Sequence, residues 1–269
     1  MSQALAINPI GTPFIELQSI DSTNNYARQL ISGAGLPDRQ VVPQHGMVIF
    51  AHEQTAGKGQ RGRVWSSDPG KNIMLSALVR PSFLRPDQQF QLSASAAVAV
   101  CDFFIKYAID KVAIKWPNDL YWQDRKAGGI LIESVIGTEG AAAVPAQWQW
   151  AIIGTGININ QAFFPEHLPN PVSLKQITGS SFKIIPLVKE LCTLLQEYYT
   201  LLMNGRFEEI LARYNQYLYK RNEKVKLKKD NRVFEARVKS VNPAGKLIIE
   251  HSWEEELGFG EAEWLISEK

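Results

Sequence analysis

The feature of this sequence that most constrains its fold is a series of short apolar segments, rich in β-branched residues, that begin or end at glycine or polar residues. Segments of this length and composition are typical of buried strands. They are MVIFA at 47–51, NIMLSALVR at 72–80, VAIKWPNDLYW at 112–122, KAGGILIE at 126–133 and WAIIGTGININ at 150–160. We therefore predict a sheet whose connecting loops carry the polar residues.

Helical periodicity separates and follows these runs. Ser22 is placed to cap a helix that ends at Gly33, and the stretch from Asp87 to about Ala108 lacks Gly and Pro and predicts a long, buried helix. Two amphipathic helices follow, one from Pro186 to the Asn204-Gly205 stop and one in FEEILARYNQYLY. The chain therefore combines strands with helices on their flanks.

After Asn222 the pattern changes to alternating segments separated by turn residues, which predicts a small β-module. Residues 222–246 hold eight Lys and Arg against three Asp and Glu, whereas residues 247–269 hold one against seven. Charge pairing across strands on a solvated surface explains this distribution better than a dedicated nucleic-acid patch.

Composition narrows the function classes. The 269 residues are 45% apolar and carry a formal charge of only +2, so any cationic function has to be local. Cys101 and Cys192 fit no metal or redox motif, the histidines are scattered, and neither a signal peptide nor a membrane span is visible. A reduced, cytoplasmic protein is the expectation.

The segment GKGQRGR, Gly57 to Arg63, places three glycines and three cations between two predicted strands. It matches the dinucleotide pattern GxGxxG, but the residues after it form turns, no acidic residue follows about 20 positions on, and the Walker ending is absent. Glycines allow close backbone approach, while Lys and Arg neutralise anions. Such a loop suits activation of a carboxylate by ATP; a solvated basic turn is the alternative.

Two further segments carry candidate residues. Asn118 and Asp119 at a strand end have the oxygen ligands that Mg²⁺ prefers, and Lys126 follows beside two glycines. In IIGTGININ, Gly156 and Asn158 lie at the end of a strand. Each pattern taken alone is also compatible with an ordinary turn or a surface charge.

The order of GKGQRGRVW, KWPNDLYWQDRKAGGILIE and IIGTGININ, after an STNNYA segment, resembles the biotin–protein ligase family from about Phe14 to the C-terminus. The resemblance implies an α+β fold: a mixed sheet with flanking helices, similar to class II aminoacyl-tRNA synthetases, in residues 1–221, and a small SH3-like β-barrel in residues 222–269. Because about a dozen residues precede the resemblance, we expect the monofunctional class, without an N-terminal DNA-binding domain.

The resemblance also implies roles for individual residues. The implied catalytic residues are Lys58, Arg61, Arg63 and Lys126. The implied biotin-binding residues are Ser22, Thr23, Asn24, Gln54, Lys58, Gly59, Gln60, Lys126, Gly129 and Gly156. The implied ATP-binding residues are Lys58, Arg61, Arg63, Trp65, Asn118, Lys126 and Asn158, with Asn118 and Asp119 as the metal site. Gln60 departs from the arginine of the family pattern GRGRRGR.

The implied activity is formation of biotinyl-5′-AMP from biotin and ATP with Mg²⁺, followed by transfer of biotin to a lysine of a biotin carboxyl carrier protein, from acetyl-CoA carboxylase or a related carboxylase. Residues 56–65 are then expected to form a lid. DNA and membranes are not expected partners, and a homodimer is left open. The alternatives are a lipoate–protein ligase, which has a similar catalytic fold, and a nucleic-acid-binding protein that uses the loop and the basic half of the β-module.

Overall fold

The computed structural model describes residues 8–33, 41–108, 110–137 and 147–265. Within them the chain forms two main sheets and five α-helices. The strands are β1 (Phe14–Ile20), β2 (Val48–Gln54), β3 (Gly57–Lys58), β4 (Val64–Trp65), β5 (Ile73–Val79), β6 (Val112–Lys115), β7 (Asp119–Trp122), β8 (Arg125–Gly137), β9 (Gln147–Ile157), β10 (Lys224–Lys229), β11 (Arg232–Val241), β12 (Leu247–Glu250), β13 (Glu254–Leu257) and β14 (Glu263–Leu265). The helices are α1 (Thr23–Ser32), α2 (Gln89–Ala108), α3 (Leu174–Thr178), α4 (Ile184–Met203) and α5 (Phe207–Gln216), with 3₁₀ turns at Gln60–Gly62 and Pro86–Gln88.

The larger sheet has seven strands in the order β1-β2-β5-β9-β8-β7-β6. Strands β1 and β2 are parallel, whereas the other neighbouring pairs are antiparallel. All seven residues of β5 are buried, which is the pattern of a strand covered on both faces. The predicted mixed sheet is therefore confirmed.

Helices cover both faces of this sheet. Ala27 and Leu30 of α1 belong to a small apolar cluster with Ile49, Leu78 and Ile152. The opposite strand positions join a much larger core with α2, α4 and α5. The alternation of strand side chains between two faces explains this division, since successive residues point to opposite sides. The flanking helices predicted from periodicity are confirmed.

The observed helix limits differ slightly from those predicted. Helix α2 begins at Gln89 because Pro86–Gln88 forms a 3₁₀ turn, and the last predicted helix ends at Gln216. Ser22 occupies the N-cap position of α1, but its side chain makes no capping hydrogen bond, and Gly33 ends the helix with φ 67°. The predicted elements therefore hold, with shifts of the terminal turns.

The second sheet is antiparallel, with the order β13-β12-β11-β10-β14, which confirms the predicted C-terminal β-module. Its charges pair as predicted: Lys239 meets Glu250 at 3.3 Å and Lys246 meets Glu256 at 2.9 Å. Its strands begin at Lys224, close to the boundary set at residue 222. That residues 1–221 and 222–269 are separate domains stays a prediction.

The C-terminal sheet is attached to the rest of the molecule through a shared core and polar contacts. Buried Leu227, Val238 and Leu257 belong to the same apolar cluster as the core of the larger sheet. The side chain of Asn215 bonds both backbone groups of Val241, donating to the carbonyl at 2.9 Å and accepting from the N–H at 2.6 Å. The smaller sheet is therefore fixed in position beside the larger one.

Cys101 and Cys192 are buried, free thiols on α2 and α4. Burial raises the pKa of Cys192 to about 12, so it is held as an unreactive thiol. No helix in the described part of the chain is long and apolar enough to cross a membrane.

Candidate active site

One cleft of about 890 Å³ is lined by every residue for which a site role was predicted. These residues are Ser22, Thr23, Asn24, Gln54, Lys58, Gly59, Gln60, Arg61, Arg63, Trp65, Asn118, Asp119, Lys126, Gly129, Gly156 and Asn158. They come from the end of β2, the start of α1, the glycine loop, the start of β7, the first half of β8 and the end of β9. The structure thus brings the separate motifs together, while the role of each residue stays a prediction.

At one part of the cleft lies a network of neutral polar groups at the start of α1. Gln54 Oε1 accepts hydrogen bonds from the Thr23 backbone N–H at 2.8 Å and from the Thr23 hydroxyl at 3.0 Å. The Ser76 hydroxyl lies 2.8 Å from Thr23 Oγ1 and 2.6 Å from Asn24 Oδ1. Asn24 Nδ2 donates to Glu133 Oε2 at 2.9 Å. Because these buried groups fix one another, they form a preorganised site for a neutral polar ligand.

Ser76 and Glu133 support this network but were not predicted. Ser76 is fully buried within β5, where its neighbours are apolar. A buried hydroxyl inside an apolar strand needs a hydrogen-bond partner, so the sequence could have indicated Ser76 as part of a polar network. Glu133 also pairs with Arg28 at 3.0 Å and thereby joins α1 to β8.

The glycine loop forms a short two-stranded ribbon. Gly57 pairs with Trp65 and Lys58 with Val64, and the 3₁₀ turn Gln60–Gly62 makes the tip. Arg61 has φ 55°, a left-handed conformation that costs free energy for a residue with a side chain. The prediction that no helix follows this loop is confirmed, because β4 and a turn lead into β5. Its three cations, Lys58, Arg61 and Arg63, line the cleft.

Lys126 and Asp119 form an ion pair of 2.7 Å beside the ribbon. Their side chains are 32% and 23% exposed, so both are accessible to a ligand. Neighbouring Asn118 is buried. Its side-chain amide donates to the Ile130 carbonyl, and its backbone carbonyl accepts a hydrogen bond from the Ile130 backbone N–H at 3.1 Å. Asn118 therefore fixes the start of β7 against β8, while Lys126 and Asp119 supply accessible charges.

The donor set fits a magnesium ion that arrives with a triphosphate. Magnesium usually binds one or two carboxylates together with substrate phosphates. In the described ranges there is no cluster of three or more His, Cys, Asp or Glu that could hold a metal ion. Asp119 lines the cleft and is accessible, so it can supply one such carboxylate; the predicted metal roles of Asn118 and Asp119 remain proposals.

Lys115, at the end of β6, lines the same cleft and was missed by sequence reasoning. Its Nζ lies 5.1 Å from the centroid of the Tyr121 ring and 5.9 Å from that of Trp264. Burial lowers the pKa of Lys115 to about 8; the nearby Asp119 carboxylate opposes this shift, and Lys126 and Arg63 reinforce it. Lys115 therefore changes between its charged and neutral forms near pH 8, beside the other cations of the site.

Trp65 packs directly on Gly156 of β9. A Cβ at position 156 would lie 2.6 Å from the indole ring, so only glycine leaves room for it. Asn158 donates to the carbonyls of Val172 at 3.1 Å and Lys126 at 3.4 Å, which ties β9 to neighbouring segments. Gly156 therefore allows the close packing of Trp65, and Asn158 stabilises the end of β9.

The C-terminal sheet supplies a further wall of the cleft. Lys228 and Asp230 of the β10–β11 hairpin and residues 259–264 line it. The sequence patterns did not indicate this, because the contact joins segments more than 100 residues apart and depends on how the two sheets pack.

The fold places the protein in a class of known architecture. It aligns with the biotin protein ligase from Aquifex aeolicus, solved in complex with biotin and ATP, with a TM-score of 0.75 and 23% sequence identity, over 94% of this chain and 99% of that chain. At this level of identity the comparison shows a shared fold. The protein is thus an α+β chain with the architecture of the biotin protein ligases.

Sequence comparisons identify the family. The model of the biotin/lipoate A/B protein ligase family matches residues 17–145 of this chain, which therefore carries a domain of this family. The bifunctional ligase/repressor BirA of Bacillus spizizenii is 29% identical over 245 residues, 90% of this chain and 70% of that protein. The biotin–[acetyl-CoA-carboxylase] ligase of Mycobacterium tuberculosis is 34% identical over 133 residues, 48% of this chain and 45% of that protein.

The bifunctional ligase/repressor BirA of Escherichia coli is 38% identical over 154 residues, 57% of this chain and 43% of that protein. The chain therefore spans less than two thirds of the length of the Escherichia coli and Mycobacterium tuberculosis relatives.

Proposed function

We propose that this protein is an ATP-dependent ligase that forms biotinyl-5′-AMP and transfers biotin to a specific lysine of a biotin carboxyl carrier protein domain. The observation that carries the proposal is that a neutral hydrogen-bonding network and a cluster of cations meet in one cleft. Biotin offers matching chemistry, because it combines a neutral ureido ring with a carboxylate. The names of two proteins similar to this chain, both biotin–[acetyl-CoA-carboxylase] ligases, support the same activity.

In the first step, a biotin carboxylate oxygen attacks the α-phosphorus of ATP, and pyrophosphate leaves. Ser22, Thr23, Asn24 and Gln54 hold the ureido ring by hydrogen bonds. Lys126 bridges the carboxylate and the α-phosphate, and Lys58, Arg61 and Arg63 neutralise the anions that have to approach each other. When bound, Mg²⁺ neutralises phosphate charge beside Asp119.

In the second step, the acceptor lysine amine attacks the acyl carbon of the mixed anhydride, and AMP leaves. The cations that stabilise the phosphate of the adenylate also stabilise the departing AMP. The ribbon 57–65 covers the cleft and excludes water, which would otherwise hydrolyse the anhydride. Trp65, Gly129, Gly156 and Asn158 complete the walls of the biotin and adenine pockets.

The direct test is ATP-dependent transfer of labelled biotin to a purified carrier domain of acetyl-CoA carboxylase, with lipoate and a non-carrier protein as alternative substrates. We expect labelling that needs ATP and the carrier lysine. Labelling from lipoate but not from biotin would contradict the proposal, as would binding of RNA in calorimetry without binding of biotin.

The partners follow from this activity: biotin, ATP and a carrier domain of acetyl-CoA carboxylase or a related carboxylase. A cytoplasmic location agrees with the two free, buried cysteines. We also predict that the protein does not bind DNA. The mass of the protein in solution, measured with and without DNA, tests this prediction and shows whether a homodimer forms.

A further inference from the structure

The tip of the glycine ribbon touches the C-terminal sheet through one side chain. The Arg61 guanidinium lies over the ring of Phe259, with Cζ 4.8 Å from the ring centroid. The same guanidinium sits against the backbone of Gly260, where a Cβ would lie 1.2 Å from Nη2. The connection between β13 and β14 therefore forms a seat for Arg61.

Phe259 is supported from its other side. Its ring meets the ring of Trp116 edge to face, with centroids 6.3 Å apart. Trp116 is buried, and its Nε1 donates to the Gly245 carbonyl at 2.9 Å. Phe259 is therefore placed between the buried Trp116, in the connection from β6 to β7, and the Arg61 guanidinium of the ribbon.

Phe259 contributes little to the core. It is 53% exposed, whereas Leu257 two residues earlier is fully buried. The surrounding segment is acidic, with Glu254, Glu255, Glu256, Glu261 and Glu263. The exposed ring therefore keeps a face available for the Arg61 guanidinium.

The conformation of Arg61 points to the same contact. With φ 55°, Arg61 adopts a conformation that residues with side chains rarely take, and this conformation sends its guanidinium toward Phe259. Lys58, in β3, and Arg63, which follows the 3₁₀ turn and precedes β4, line the cleft on either side of this tip. Holding Arg61 therefore also holds the two other cations in place.

We propose that Phe259 is a positioning residue, which holds the glycine ribbon over the cleft through Arg61 and so slows the escape of the acyl adenylate. The part about the adenylate rests on the proposed function; the part about the ribbon does not. A cation–π contact at an exposed site changes an equilibrium about two- to fivefold, so we expect effects of that size.

The first experiment is limited trypsin digestion of the full-length protein without ligands, with cleavage after Lys58, Arg61 and Arg63 followed by mass spectrometry. Cleavage of a segment that opens rapidly tracks the population of its open form. We expect Phe259→Ala and Phe259→Leu to be cleaved about two- to fivefold faster. Phe259→Tyr, which keeps the aromatic face, should match the wild type.

Trp253→Ala is the matched control, because Trp253 is an exposed aromatic residue of the same sheet that packs on His251 instead of the ribbon. It should leave the cleavage rate unchanged. In an Arg61→Ala background, Phe259→Ala should add no further effect. Circular dichroism and thermal midpoints establish that each variant is folded, and Phe259→Leu preserves apolar contact with Trp116.

The second experiment measures release of labelled biotinyl-5′-AMP from protein loaded with ATP and biotin and freed of excess ligand. Phe259→Ala should release the adenylate about two- to fivefold faster, whereas its dissociation constant for biotin alone should change less. Wild-type cleavage rates in both Phe259→Ala and Phe259→Leu, or rapid cleavage of Phe259→Tyr, would overturn the proposal. A wild type that forms no adenylate would refute the proposed function, and the digestion comparison would still decide whether Phe259 holds the ribbon.

Discussion

The paired charges of Lys126 and Asp119 are the residues on which the proposed chemistry depends most directly. Lys126 Nζ and Asp119 Oδ1 lie 2.7 Å apart, and both side chains line the cleft. The Asp119 carboxylate and a ligand phosphate compete for the Lys126 ammonium group, so ligand binding has to weaken or break this ion pair. Lys126 is partly exposed, and its loss should leave the core untouched.

Lys126→Ala is expected to keep the fold and to lower the rate of biotin-dependent ATP–pyrophosphate exchange by about 10²–10³-fold, since a group that stabilises developing charge is lost. Lys189→Ala is the control, because Lys189 is an exposed residue of α4 outside the cleft. Near-normal exchange in the Lys126 variant would remove Lys126 from the mechanism.

Lys115 makes the site sensitive to pH. Burial lowers its pKa to about 8, so raising the pH through 8 removes its positive charge in the free protein. We predict that the charged Lys115 ammonium, which lines the cleft, donates a hydrogen bond to an ATP phosphate. Such a bond contributes about 1.5–3 kcal/mol, and its loss should raise the KM for ATP about tenfold between pH 7 and 9. Lys115→Gln should have a high KM at both pH values, and a variant that retained the wild-type pH dependence would contradict this assignment.

The same residue affects stability with the opposite sign. Between pH 8 and the ordinary lysine pKa near 10.4, the unfolded chain binds a proton that the folded protein does not. The contribution of Lys115 to the free energy of unfolding therefore rises with pH across this window. Activity and stability should thus move in opposite directions there.

At the scale of elements, the close approach of the ribbon to β9 depends on Gly156. The indole of Trp65 occupies the space that a Cβ would need, so Gly156→Ala has to displace the ring. Overpacking of this kind lowers the free energy of unfolding by about 1–3 kcal/mol. Urea denaturation of Gly156→Ala, Trp65→Ala and the double variant tests this: the double variant should lose less than the sum of the single losses, whereas additive losses would show that the two residues do not collide.

The elements themselves were readable from local patterns. All five apolar runs became strands of the larger sheet, and polar residues in or beside β2, β7, β8 and β9 became walls of the cleft. Strand β1, the ribbon of β3 and β4 and the short helix α3 were not predicted. The ribbon and α3 are too short to show periodicity, and β1 mixes polar with apolar residues.

Residues that act through packing escaped sequence reasoning. Lys115 belongs to a recognised motif, but its burial against Tyr121 and Trp264 follows from how distant segments meet. Phe259 lies in an acidic stretch whose pattern indicates only a solvated surface. Motifs therefore located the chemistry, whereas the contacts that tune it required the assembled fold.

On the scale of the whole molecule, the two sheets should unfold together. They share one apolar core, and Asn215 links α5 to both backbone groups of Val241. Asn215→Ala removes both hydrogen bonds and should lower the free energy of unfolding by about 2 kcal/mol. Gln216→Ala, at an exposed neighbouring position, is the control.

Scanning calorimetry of the wild type and both variants provides the measurement. A single transition is expected for each protein, displaced to lower temperature only in Asn215→Ala. Two separate transitions in the wild type would mean that the C-terminal sheet folds independently.

The seat of Arg61 on Phe259 and Gly260 also bears on how such proteins can be recombined. A chimaera that takes residues 1–223 from one relative and the C-terminal sheet from another combines a ribbon tip with a contact surface from a different protein. Chimaeras that take residues 61, 259 and 260 from the same relative should therefore hold the ribbon more tightly than chimaeras joined simply before Lys224. The natural unit of exchange is then a contact between two sheets and not a continuous length of chain.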